Sequence, residues 1–156
     1  MLIKSSSDSF SVHRVVQDNI HLRRRELKHQ GRFEEAIPLQ LEILEAAQRS
    51  GRARDISNQW NMLSDLYQRN QQLSKAEEAA RKALSTYDNE SPEVLATYQM
   101  KLATILADQR RFTEAVEYGE RAIVHYTIFH NPPDDFLTKM KALLASMCEH
   151  LELTPE

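Results

Sequence analysis

The stretch Gln30-Gly31-Arg32-Phe33-Glu34-Glu35-Ala36-Ile37, QGRFEEAI, decides the fold because it is written three times. NQQLSKAE (70–77) and QRRFTEAV (109–116) repeat its pattern. Ala36, Ala76 and Ala115 fall 40 and 39 residues apart. Phe33, Leu73 and Phe112 correspond, as do Leu44, Leu84 and Ile123. Self-similarity at a fixed period of 20–50 residues is the mark of a solenoid, in which each unit buries its apolar face against the next.

Each copy reads as a tight turn opening a second helix. Gly31 suits the left-handed conformation that ends the helix before it. Ser74 with Glu77 reads as a capping box. Ser91-Pro92-Glu93 supplies a cap, then proline at the first helical position, then an acid near the positive helix end. Upstream of the second copy, Trp60, Leu63, Leu66 and Tyr67 recur at helical spacing. Leu95, Tyr98, Leu102, Ile105 and Leu106 do so upstream of the third. The unit is helix A, turn, helix B. The aromatics at these spacings are read mainly as packing residues.

Composition agrees. The chain has 156 residues, 41% hydrophobic and 28% charged, with three Gly and five Pro. That excludes a disordered chain and disfavours a loop-rich or all-β fold. Cys148, the single cysteine, fits a reducing cytoplasmic setting. No apolar run is long enough for a membrane span, and MLIKSSSDSF has no signal-peptide core. Net charge is −3, but residues 1–54 carry +3 and residues 55–156 carry −6, a basic-to-acidic gradient.

The residues Trp60, Leu63, Ser64 and Tyr67, followed by Leu73, Ala76, Ala80 and Ala83, resemble a tetratricopeptide repeat (TPR). The period near 40 and the run EEAIPLQLEIL are similar to the longer, kinesin-light-chain type. The resemblance covers about residues 12 to 126. Gln99 departs from it where an aromatic is expected, and Arg23 and Arg24 stand where Leu and a small residue are usual. It implies an all-α, right-handed superhelix of three hairpins, about 12–50, 56–90 and 92–126. An N-terminal segment, 1–11, would be flexible. A capping helix, 134–153, would close the array with Phe136, Leu137, Met140, Leu143, Leu144, Met147 and Leu151 on one stripe.

No catalytic constellation is legible: no Gly-rich phosphate loop, no G-x-S-x-G, no H-E-x-x-H. His125 and His130 could meet around a bend, but a helix end is the simpler reading. The expectation is a non-enzymatic protein without cofactor or metal. The resemblance implies a module for protein–protein interaction, with A helices lining a concave peptide groove. Carried over position by position, the lining is His21, Arg25 and Lys28; then Asn58, Asn61, Asp65 and Arg69; then Thr97, Met100, Lys101, Thr104 and Asp108. Lys141 and Ala145 extend it on the last helix. Asn61 stands out, since an amide can pair with both N–H and C=O of an extended peptide. The known clamp for a terminal carboxylate is not reproduced, because His21, Arg25, Met62, Thr97 and Lys101 occupy its places.

The run HLRRRELKH (21–29) favours an acidic protein partner over nucleic acid, since no aromatic platform accompanies its arginines. Two alternatives stand beside the groove. Val12, Val15, Val16, Ile20 and Leu27 lack a helix before them, which suits a homo-oligomer joined through the N-terminal helix, a self-associating scaffold. SFSVHRVVQ (9–17) resembles the end of the winged-helix part of NB-ARC regulatory ATPases with TPR tails, which would make the chain a sensor or adaptor part.

Overall fold

The computed structural model describes residues 4–88, 91–129 and 134–152. Among them are seven α-helices and no strand: α1 (Lys4–His29), α2 (Phe33–Ser50), α3 (Ala53–Arg69), α4 (Leu73–Thr86), α5 (Pro92–Asp108), α6 (Phe112–Phe129) and α7 (Asp135–Glu152). Each helix packs antiparallel on its successor, giving three hairpins and a final helix. α1 starts ahead of the expected residue 12, within the segment set aside as flexible. Asn131, Pro132, Pro133 and His130 lie outside the described residues.

The repeated turn is one backbone device used three times. Gly31, Gln71 and Arg110 occupy equivalent positions, with φ of 72°, 60° and 60°. At each, two amides close back on the helix before. Arg32 N–H donates to Leu27 C=O at 2.9 Å and Gly31 N–H to Lys28 C=O at 3.1 Å. Gln72 and Gln71 do the same to Tyr67 and Gln68, and Arg111 and Arg110 to Leu106 and Ala107. This left-handed C-terminal motif satisfies carbonyls that the helix end leaves open.

Behind each turn, Ala36, Ala76 and Ala115 are fully buried. Their lack of bulk lets helix B lie against helix A. The core then runs as two main clusters beside a smaller one of Ala83, Tyr87 and Tyr98. One gathers Leu27, Ala36, Ile37, Leu44, Leu63, Leu66 and Ala79 from α1 to α4. The larger is built around Leu102, Ile105 and Leu106 of α5 and reaches Leu137, Met140 and Met147 of α7. Full burial of a Leu or Ile contributes about 1.5–3 kcal/mol, so α5 is the axis of the array.

Three local expectations are revised. The capping box at Ser74 does not form: α4 starts at Leu73, Gln72 is its N-cap, and no side chain caps it. Glu77 instead accepts from Arg81, Gln109 and Arg111, which reach it from its own helix and the next turn. Ser91 is the N-cap before Pro92, but its side chain makes no cap bond. The Tyr87 hydroxyl fastens this corner, donating to Ser91 C=O at 2.7 Å and accepting from Ser91 N–H at 2.6 Å. Gln99 is buried in place of an aromatic because its Oε1 lies 2.8 Å from His125 Nδ1.

Candidate functional site

The A helices α1, α3, α5 and α7 form one face. The backbones of α3 and α5, and of α5 and α7, approach closely, whereas the B helices α4 and α6 meet through long side chains, Arg81 donating to the Tyr118 hydroxyl at 3.2 Å. Closer spacing on one side of a stack makes that side concave.

Asp65 is the centre of this face. Its Oδ2 lies 2.7 Å from Lys28 Nζ and 3.2 Å from Arg69 Nε, and its Oδ1 2.9 Å from Lys101 Nζ. One carboxylate thus ties α1, α3 and α5. Burial pushes its pKa up, but the bonds from Lys28 and Lys101 outweigh burial and hold it well below the usual carboxylate range. Gln68 extends the ladder, accepting from Lys101 at 3.3 Å and donating to Asp108 Oδ2 at 2.7 Å. Arg69 also lies over the Phe33 ring at 5.9 Å.

The remaining expected lining residues are scattered. His21 and Arg25 sit at the α1 end; His21 is half-buried and Arg25 exposed. The His21 pKa is lowered, first by burial and then by Arg24 and Arg25, against the pull of Asp18. Asn61 is half-buried, and its Oδ1 is buried without a hydrogen-bond partner. Thr104 lines the far end, while Thr97, Lys141 and Ala145 are exposed. Asn58 stands apart, in a small cleft with Arg54, Asp55, Val94 and Tyr98. Met100 does not line the groove surface. It is 6% exposed and belongs to the core, because α5 is covered on several sides.

Between α5 and α7 the face opens into a cleft of about 370 Å³. Thr104 and Asp108 form one wall, Leu143, Met147 and His150 the other, with Phe112 at the base of α6. Phe112 and His150 stack with ring centroids 4.8 Å apart. The sequence reading missed Leu143 and Met147 because it assigned their stripe to closing the core, and His150 lies off that stripe. It also missed Gln68, although the 40-residue period makes Gln68 the counterpart of Lys28. Among the described residues no three His, Cys, Asp or Glu side chains converge as a metal site would need. No described helix is long and apolar enough to cross a membrane.

Comparisons with known proteins bear on the fold. Sequence profiles described as tetratricopeptide repeat match residues 60–89 and 95–124. Among curated proteins no sequence matches. Similar solved structures include the nearly identical TPR-like repeats of a kinesin light chain from Podosopora anserina. The TM-score is 0.76 at 18% identity over 86% of this chain and 66% of that one. BtubC (BKLC) from P. vanneervenii gives 0.76 at 17% identity, over 87% and 56%. The Sgt2 TPR domain from Aspergillus fumigatus gives 0.67 at 20%, over 87% and 79%. The chain therefore spans somewhat less than two thirds of the kinesin-light-chain-type structures it matches. With the triple turn, the small-residue seam and the A-helix face in place, residues 60–89 and 95–124 are tetratricopeptide repeats, and the fold of the chain is similar to that of the long, kinesin-light-chain-type arrays.

Proposed function

We propose that the A-helix face binds an extended segment of another protein, and that the chain serves as a non-catalytic adaptor or scaffold in the cytoplasm. The observation that carries this reading is the make-up of the face along its length. Cations lie at the α1 end, the middle gathers Lys28, Arg69 and Lys101 around the one carboxylate of Asp65, and a cleft of mixed lining, Phe112 and Leu143 beside Asp108 and His150, opens between α5 and α7. A large apolar side chain fits such a cleft, and an acidic residue suits the basic end.

The test is selection from a display library of random dodecapeptides, followed by calorimetry. Selected sequences should lose at least tenfold in affinity for an Arg25→Glu, Asn61→Ala variant and for Leu143→Asp. A substitution far from the face, Glu45→Gln, should leave affinity unchanged. Binding indifferent to all groove substitutions would assign the activity to another surface.

A second occupant is favoured by one observation. Phe10, Val12 and Val15 on α1 are 81%, 62% and 57% exposed, with Val16 and Leu22 beside them. A second copy of the chain would cover that stripe. Light scattering should then show a dimer at micromolar concentration that Phe10→Asp with Val15→Asp dissolves; a monomer at high concentration ends this reading.

A further inference from the structure

The B helices are joined differently in the two places where one follows another. Between α4 and α6, the Arg81–Tyr118 bond is joined by Arg111, which reaches back to Glu77 at 2.7 Å. Leu41 lies 40 residues before Arg81, and Ala79 lies 39 before Tyr118, so Leu and Ala hold the bridging places between α2 and α4. There Arg49 pairs with Glu45 inside α2 and Lys82 with Glu78 inside α4, and no hydrogen bond or ion pair crosses among the described residues. A groove of about 270 Å³ is left open on the B-helix side. Leu41, 42% exposed, forms one rim; Trp60, Leu63 and Tyr67 form the floor; Lys75 and Lys82 form the other rim. The Lys82 ammonium lies 4.6 Å from the Trp60 ring centroid, and that of Lys75 lies 5.7 Å from the Tyr67 centroid. Exposed cation–π contacts are weak, so these lysines are lids that an apolar occupant displaces easily.

The same chain carries a matching convex surface. Val12, Val15, Val16 and Leu22 share one exposed face of α1, away from Leu27, which packs in the core of the first hairpin. Asp18 adjoins this stripe, three residues after Val15 and four before Leu22. Asp18 and Lys75 are both exposed, and neither has an ion pair among the described residues. We propose that the Val12–Leu22 stripe of one copy lies in the α2–α4 groove of a second copy, with Asp18 of one facing Lys75 of the other. The inference rests on the reading that a second copy covers α1, and it names the surface that receives it. Lengths agree as well as chemistry. Lys75 to Lys82 spans about 10 Å of helix and Val12 to Leu22 about 15 Å, so the stripe runs the groove from end to end. Burial of the valines against the aromatic floor supplies the attraction, and the charge pair sets the direction in which α1 lies. The two surfaces are unlike, and every copy carries one of each.

The test uses the full chain in three forms: the parent, a stripe variant (Val12→Lys with Val16→Lys) and a groove variant (Leu41→Glu). All substituted positions are exposed, so urea unfolding of each variant should match the parent. Sedimentation velocity at micromolar concentrations should show the parent self-associating, and each variant alone doing so at least about tenfold more weakly. An equal mixture of the two variants should form a 1:1 complex, because the intact stripe of one meets the intact groove of the other. Asp18→Lys and Lys75→Glu should each weaken association severalfold, and a chain carrying both should regain most of it. Variants that stay apart when mixed, or charge reversals that do not rescue one another, would overturn the proposal. If Leu41→Glu associates as the parent does while the stripe variant is monomeric, the stripe meets itself: the second-copy reading survives and the groove falls. A parent chain that is monomeric throughout ends both.

Discussion

Lys28 on α1 and Asp65 on α3 are joined by a 2.7 Å ion pair across the concave face, and Lys101 on α5 closes on the other oxygen. With Asp65 only 16% exposed, the pair is shielded enough to matter for both stability and binding. Asp65→Asn should cost about 1–3 kcal/mol, because it leaves cations half-buried and uncompensated. The same substitution should tighten binding of acidic peptides, since Lys28 and Lys101 then lack their internal counter-ion.

That network also fixes a pH dependence. The Asp65 carboxyl is held below its ordinary value, so its contribution is complete above the unfolded pKa, near 3.9, and is lost as pH falls from there. Denaturant unfolding of the parent chain should therefore lose stability more steeply than Asp65→Asn below about pH 4. Parallel acid limbs for the two proteins would show that Asp65 is not the group responsible.

The repeated turn yields predictions of opposite sign. Gln71 and Arg110 hold φ of 60°, where a Cβ is strained, while Gly31 holds 72° freely. Gln71→Gly and Arg110→Gly should each stabilise by about 0.5–1 kcal/mol. Gly31→Ala should destabilise by about 1 kcal/mol. An added Cβ there meets nothing within 4 Å, so the cost would be purely conformational. Equilibrium urea unfolding measures all three.

The fold was legible because its signals are local and repeated. The spacing of Ala36, Ala76 and Ala115 states the hairpin three times, and Gly31 announces the first turn. Nothing in Gln71 or Arg110 announces the other two; tertiary packing holds them in the glycine-like conformation. The candidate site was legible by position but not by state. Lys28, Asp65 and Lys101 are 37 and 36 residues apart in sequence, and only the stacking of α1, α3 and α5 shows that both lysines share one carboxylate. Arg24 read as a flaw in the repeat, because its burial without a partner depends on the helix facing it. The α5–α7 cleft was hidden because Leu143 and Met147 look identical in sequence whether they close a core or wall an opening.

Gly119 sets how closely α7 approaches α6. A Cβ added there would stand 3.0 Å from Leu144 Cδ1, so the glycine admits the leucine tip. Gly119→Val should destabilise by about 1–3 kcal/mol, since the extra methyl groups push on α7. Leu144→Ala in the same chain should recover part of that loss, giving a favourable coupling in a double-mutant cycle. Because Leu143 and Met147 wall the cleft from the same helix, Gly119→Val should also weaken peptides that use the cleft. Additive stability changes at 119 and 144 would place the strain elsewhere.

Asp134 joins the end of the third hairpin to the last helix. Its Oδ1 accepts the Leu137 N–H at 2.7 Å, capping α7, and its Oδ2 accepts the Tyr126 hydroxyl at 2.5 Å. The hydrogen bond to Asp134 is the main reason that the Tyr126 pKa is pushed up to about 12, with burial and the carboxylate charge adding to it. Because the neutral phenol is favoured in the folded chain, this contribution is complete below pH 10 and fades as pH rises toward 12. Asp134→Ala should cost about 1–2 kcal/mol through loss of the cap. It should also let Tyr126 ionise at lower pH, seen as earlier growth of tyrosinate absorbance in an alkaline titration. Asp134→Asn separates the two effects: the amide oxygen still caps α7, so most of the stability returns, but the carboxylate charge is gone and the Tyr126 transition stays early. Should Asn restore the late transition as well, the hydrogen bond accepted by the Asp134 carboxylate would not be what holds the phenol neutral.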